Sequence, residues 1–293
     1  MIPAEISMKP VVLATLAAFF FGCSTVVTRR GLNYLDAQTG SMISIGTTVL
    51  FYVLISPLWM RAEDWFTLGF WIFVGNGLMH PLFSMFLSFE ANRRIGPTVS
   101  SAFCATAPFF AMLSAFLFLG EELTPGIGLG TVFTVAGVIT LCWDPRGVSA
   151  IVKSALLLAT GAAAIRGLNQ TVGKFGLNLM PNPFMAGFLS FFVAFCSSVL
   201  WYRLSKGYLP VPHRLNKKGV IHFTITGMGI GVAVWCMYGA LKAGQVLVVS
   251  PIVAAYPTFT LLASVTFRQE TLTRRIVLGV ISVVCGVALI STG

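Results

Sequence analysis

Arg166 is the one basic residue that falls in the middle of an apolar run, and Asn169 and Gln170 follow at three and four residues, on the same helical face. A guanidinium presents a planar fork of donors that matches a carboxylate or a phosphate. A charge at that depth is costly and faces a bundle interior or a watery cavity. Two readings stay open: the wall of an anion-binding cavity, or an arginine satisfied by backbone carbonyls or snorkelling to the interface. Asn76 and His80, four residues apart, share a face of an earlier run. A histidine there can titrate and couple proton movement, although a lone one is more often a neutral hydrogen-bonding group. Glu90 is the only acid inside a run, near its end, and Arg93 and Arg94 follow at ion-pair spacing, so an interfacial pair is preferred over a proton carrier. His80 and Glu90 are therefore the proton-coupling candidates.

Pro108 and Pro257 lie mid-run, where each removes a helical hydrogen bond and frees a carbonyl. Such breaks favour a cavity-lining place. Tyr256 directly precedes Pro257, and Trp235 lies in the run before it, so both are candidates for an aromatic wall. Glu121 and Glu270 precede Thr124 and Thr273, which read as helix N-caps, so a structural turn role is preferred for both acids. Signals for catalysis are scarce. No H-E-x-x-H, G-x-S-x-G or paired intramembrane carboxylate occurs, and no enzyme is expected. Each of the six cysteines falls in a different apolar run without a C-x-x-C, so neither metal nor other cofactor is expected. Gly126-x-Gly128-x-Gly130 and Gly227-x-Gly229-x-Gly231 suit close helix approach rather than phosphate binding.

The elements that must hold these residues are membrane helices. The chain is 56% hydrophobic and 10% charged, where soluble domains carry about 25% charge. The net charge of +10 does not point to nucleic acid, because the basic residues sit between apolar runs. Ten spans are read at 10–28, 38–58, 68–89, 97–119, 125–143, 152–172, 183–202, 219–240, 246–267 and 274–291, the first of them a retained span rather than a signal peptide. Runs of this length cross a bilayer as helices, not as barrel strands.

The chain also repeats itself. Residues 96–141 align with 245–290 at a shift of 149, without a gap and with 16 of 46 positions identical. Leu13–Asn33 aligns with Leu158–Asn178 at a shift of 145, with 10 of 21 identical. Two units follow, 1–147 and 148–293. Five spans per unit is an odd number, so tandem copies face opposite ways: an all-α integral membrane protein with a 5+5 inverted repeat. Links after odd-numbered spans hold 14 Lys/Arg, and the N-terminal segment with the even links holds four. That bias puts the odd links in the cytoplasm and both termini outside.

Phe118-Leu119-Gly120-Glu121-Glu122-Leu123-Thr124, followed by Gly130 and Gly137, resembles the closing signature of the EamA-type repeat of the drug/metabolite transporter superfamily. The weaker second copy is Phe267-Arg268-Gln269-Glu270-Thr271-Leu272-Thr273, with Gly279 and Gly286, and Phe20-Phe21-Gly22 is similar to the aromatic-glycine opening of that repeat. The resemblance implies ten-span carriers that export amino acids and other metabolites or move drugs and nucleotide-linked compounds. It implies a central cavity built largely from spans one, three, four, six, eight and nine. It also implies cytoplasmic termini, against the charge count, which is retained. Similar chains usually place an apolar or aromatic residue where Arg166 stands and a small one at Glu90, so substrate choice is expected to differ there.

The function expected is that of a secondary transporter, an alternating-access carrier in the cell (inner) membrane. Its substrate is a small polar metabolite, amino acid-like or carboxylate-bearing. Arg166 holds the anionic group, and Asn169, Gln170, Asn76, His80, Tyr256 and Trp235 complete the site. One alternative is a carrier for apolar or cationic drug-like compounds, which the scarcity of intramembrane acids disfavours. Another is a non-transporting scaffold or lipid-handling protein. The partners expected are the small molecule and the bilayer, with no nucleic acid, in a monomer or a homodimer.

Overall fold

The computed structural model describes residues 8–60, 62–104, 106–142, 153–208, 215–266 and 274–292. Expectations on Glu270, Thr273 and the junction near residue 147 lie outside them. Regular structure among the described residues is helical, with no strand. Within the first copy run α1 (Met8–Gly31), α2 (Ala37–Trp59), a 3-10 turn (Ala62–Phe66), α3 (Leu68–Met79), α4 (Leu82–Cys104), α5 (Ala107–Leu119) and α6 (Pro125–Cys142). Within the second run α7 (Lys153–Leu179), α8 (Pro183–Lys206), α9 (Lys217–Ala243), α10 (Val246–Ala254), α11 (Tyr256–Thr266) and α12 (Arg274–Thr292). Among the described residues six segments are long and apolar enough to cross a membrane: Lys9–Gly31, Ala37–Trp59, Leu68–Arg94, Pro183–Lys206, Lys217–Ala243 and Val246–Ala263. Shorter apolar helices occupy Ala107–Leu119, Pro125–Thr140 and Val277–Ile290. The helix α7 carries Arg166 and Lys174 and is not one of the six.

Several boundaries differ from the expected spans. The third is interrupted at His80 and Pro81, between α3 and α4. The link expected at residues 90–96 is instead helix, because Glu90 bonds Arg93 and Arg94 at helical spacing and α4 continues to Cys104. The fourth is broken near Thr106, with Pro108 in the first turn of α5. The ninth is broken at Ala255, with Pro257 second in α11. A proline in a first helical turn has no N–H to leave unsatisfied, which makes it a natural restart point.

Polar side chains tie the copies together at regular intervals. Ser44, Thr48 and Tyr52 donate to the carbonyls of Phe223, Gly227 and Gly231 at 3.0, 2.7 and 3.0 Å. Both series advance by four, so α2 and α9 run parallel with one turn of each in register. Interhelical bonds of this kind take the place of hydrophobic driving force between helices in lipid. In contrast α1 and α9 run antiparallel: Thr28 meets Thr226 at 3.3 Å, Ser24 lies against Gly229, and Leu13 against Gly239. The pair α6 and α12 is antiparallel too, since Gly130 packs on Gly286 and Gly137 on Gly279. Ser282 donates to the carbonyl of Phe133 at 2.9 Å. These residues are repeat equivalents (133 + 149 = 282), so a local two-fold passes through this crossing.

The packing repeats as well. Gly22 on α1 abuts α11, where a Cβ would stand 2.7 Å from the Tyr256 carbonyl oxygen. Its equivalent Gly167 on α7 abuts α5, where a Cβ would stand 2.6 Å from that of Ala107. The two ends of the bundle differ in charge. Gln38 bonds Ser205 at 2.7 Å and Tyr34 stacks on His222, which gathers the link after α1, the end of α8 and the start of α9 at a basic end with Arg29, Arg93 and Arg203. At the opposite end Asn182 donates to the Trp59 carbonyl and to Asp64 at 3.0 and 2.6 Å.

Glu121 sits at this opposite end. Its carboxylate accepts from the backbone N–H groups of Val246 and Leu247, at 2.9 and 3.0 Å, the first two residues of α10. The acid thus caps a helix of the other copy rather than its own turn, and its charge meets the positive end of that helix dipole. Bonds to a charged group contribute about 1.5–3 kcal/mol each. Glu121→Ala is therefore expected to lower the melting temperature in detergent, read by loss of the monodisperse peak after heating, and Glu121→Gln to give a smaller drop.

Candidate functional site

A cavity of about 100 Å³, room for several waters, lies where α1, α4, α7 and the α10–α11 junction meet, with α8 and α9 behind. Helix α7 is continuous through its middle, so Arg166, Asn169 and Gln170 all reach it. Arg166 Nη2 donates to Ser88 Oγ at 3.1 Å, and its guanidinium carbon stands 6.0 Å from the ring centre of Tyr256, a cation–π distance. The break before α11 is what turns Tyr256 inward, and Ala107, beside the matching break before α5, also lines the space. His80 and Pro81 line it from the break that opens α4.

The structure separates some residues that the sequence groups. Asn76 is buried at 8% exposure behind the cavity, donating to Ser190 and to the Tyr238 hydroxyl at 3.4 and 3.3 Å. The helix ends at Met79, so Asn76 and His80 do not share one continuous face. Glu90 lies outside the lining. Arg93 grips both its oxygens at 2.7 and 2.9 Å and Arg94 adds a bond of 2.7 Å, so its charge is already matched twice. Trp235 faces a second space of about 650 Å³ at the opposite end, together with Trp59, Glu63, Asp64, Phe184 and Lys242. It stacks edge-on against Trp59 and Phe184 at 5.1 and 5.6 Å.

Other lining residues escaped the sequence reading. Ser84, Ser88 and Asn92 follow one another at four-residue steps along α4, and Ser24 and Thr28 do so on α1. A stripe of small polar residues at helical spacing inside an apolar run was the signal available. The side-chain oxygens of Asn169, Gln170 and Asn92 are buried with no hydrogen-bond partner among the described residues. Buried polar atoms are almost always bonded, so a polar occupant suits this wall. Between the two spaces lie Tyr52, Phe73, Phe184 and Tyr238, all fully buried. Tyr52 touches Phe184 on the outer side and Phe191, a cavity residue, on the inner, with ring centres 5.1 and 6.2 Å away. The cavity is thus floored by aromatic rings toward the opposite end, while Thr28 and Asn92 carry its lining toward the basic end.

The family model described as "EamA-like transporter family" matches residues 8–143 and 153–292. The chain belongs to the EamA-like transporter family. It is therefore a multi-pass membrane transporter of the drug/metabolite kind, as the paired signatures at Glu121 and Glu270 implied. No curated protein matches the chain. A solved structure described as "Crystal structure of protein" is similar over 96% of both chains, at a TM-score of 0.77 and 16% identity. At that identity the likeness shows the fold alone. Within this transporter the polar stripe predicts a reactivity pattern. In a background without native cysteines, Thr25→Cys is expected to react with a water-soluble maleimide. Ser44→Cys, fully buried against the Phe223 carbonyl, is expected to stay unlabelled until the protein is denatured.

Proposed function

We propose that the protein is a secondary carrier that moves a small polar metabolite, amino acid-like or carboxylate-bearing, across the cytoplasmic membrane by alternating access. The observation that carries this is Arg166, which reaches into the cavity with Ser88 and Tyr256 against it. The guanidinium suits the anionic group of the substrate. The unpartnered oxygens of Asn169, Gln170 and Asn92 suit a donor group such as an ammonium, amide or hydroxyl. His80 and Tyr256 complete the wall, and Asn76 acts from behind through Tyr238. The breaks beside Pro108 and Pro257 let the half-helices shift, and Trp235 meets the substrate in the outer space. His80 remains the group best placed for proton coupling.

The architecture proposed is ten spans in two five-span halves, 1–147 and 148–293, inverted with respect to each other. Support comes from the parallel run of α2 with α9 and the antiparallel crossings of α1 with α9 and α6 with α12. Adjacent spans of one half alternate in direction, so both relations hold together when the halves are inverted. The distribution of arginines puts the basic end in the cytoplasm and both termini outside. Counterflow in proteoliposomes tests the reading. Preloaded unlabelled carboxylates or amino acids should drive accumulation of the labelled compound, and compounds with neither an anionic nor a donor group should not.

A further inference from the structure

Arg29 and Lys174 occupy the same place in the two copies (29 + 145 = 174). Asn92 and Leu241 are likewise equivalent (92 + 149 = 241), four residues before the gapless aligned stretch begins. The structure gives each cation the equivalent backbone partner. Lys174 Nζ donates to the Leu241 and Gly244 carbonyls at 2.7 and 2.8 Å, where α9 ends. Arg29 Nη1 donates to the Asn92 carbonyl at 3.3 Å. Each contact joins the last turns of a copy's first span to its third: Leu241 lies in the last turn of α9, where cations commonly meet helix C-termini, and Asn92 lies within α4. They lie at opposite ends of the bundle.

The two contacts differ in tightness, and the difference follows the cavity. At the Lys174 end the amine makes two short bonds. The link from α9 to α10 is pinned again by Glu121, and Tyr52, Phe73, Phe184 and Tyr238 close the space beneath it. At the Arg29 end there is one long bond among the described residues, and Asn92 itself lines the cavity with its side-chain oxygen unpartnered among them. In a molecule built from two equivalent units, a contact that takes unequal states in the two copies is one feature by which its two faces differ.

We propose that Lys174 and Arg29 are matched latches, one for each face. The two-bond state of Lys174 holds the opposite end shut, and the one-bond state of Arg29 leaves the basic end as the one that opens. The latches exchange states when the cavity changes face. This rests on the alternating-access reading above.

The test uses Thr25→Cys as the cavity reporter in a protein without its six native cysteines. It is reconstituted in known orientation, and a membrane-impermeant maleimide is applied to one face at a time. Lys174→Ala should raise the ratio of opposite-end to basic-end labelling about fivefold or more, the lower range for coupling between sites. Arg29→Ala should lower that ratio, and the double variant should return toward the parent value. Lys174→Arg, which keeps charge and donors, should stay near the parent. General loosening of the bundle cannot move the ratio in opposite directions. Shifts of the same sign, or unchanged ratios in a protein that labels normally, overturn the latches and leave the carrier reading intact. Absence of labelling from either face in every variant, with labelling after denaturation, overturns the carrier reading and the latches with it.

Discussion

Replacing Arg166 with alanine is expected to abolish saturable uptake of the carboxylate substrate in proteoliposomes, with a half-saturation concentration raised about 10- to 100-fold where any uptake can be measured. The size follows from the bonds removed. A hydrogen bond to a charged group contributes about 1.5–3 kcal/mol, and each 1.4 kcal/mol is about tenfold in affinity. The same change strips Ser88 of its donor and Tyr256 of the cation above its ring. Arg166→Lys keeps the charge but loses the planar fork, so it should fall between parent and alanine. Ser88→Ala leaves the guanidinium in the cavity and removes only one of its partners, so it should raise the half-saturation concentration less than Arg166→Ala does. Equal uptake by parent, lysine and alanine variants would show that Arg166 only props up the bundle.

Gly130→Val is expected to leave little folded protein. A Cβ at Gly130 would stand 2.6 Å from both the Gly286 carbonyl oxygen and Ile290, and no flexible end can move aside from a backbone oxygen. Overpacking of a tight contact costs about 1–3 kcal/mol, and here it also separates α6 from α12 along the whole crossing. Gly128, two residues earlier on the same helix, faces open space within 4 Å. Gly128→Val should therefore melt close to the parent in detergent. The comparison cancels the helix-propensity difference between glycine and valine. Matching melting curves for the two variants would contradict the crossing.

Much of this was legible in the sequence, and the reasons differ from residue to residue. The repeated glycines at 130, 137, 279 and 286 mark the crossing because only glycine lets two backbones meet so closely. Arg166, Asn169 and Gln170 share a wall because α7 is unbroken, so sequence spacing maps onto a helical face. The same spacing misleads for Asn76 and His80, because α3 stops between them. Trp235 misleads for a different reason. Its neighbour Val234 lines the cavity, but one step along a helix turns the side chain by about 100°, and the indole faces the outer space. The ladder of Ser44, Thr48 and Tyr52 onto α9 was hidden, since a hydroxyl in a span can equally bond its own helix. Thr15, Thr25 and Thr47 do so to carbonyls four residues back. Glu121 was read as part of its own turn, yet its partners lie 125 and 126 residues away, beyond the reach of local patterning.

The claim on which the rest depends is that a substrate with an anionic group exchanges through the cavity beside Arg166. Counterflow in proteoliposomes measures it directly, with each carboxylate compared against its neutral amide of the same size in the parent protein and in Arg166→Ala. The account predicts accumulation of the carboxylate, little of the amide, and loss of that preference in the variant. Accumulation of carboxylate and amide alike, unchanged by the substitution, would contradict it.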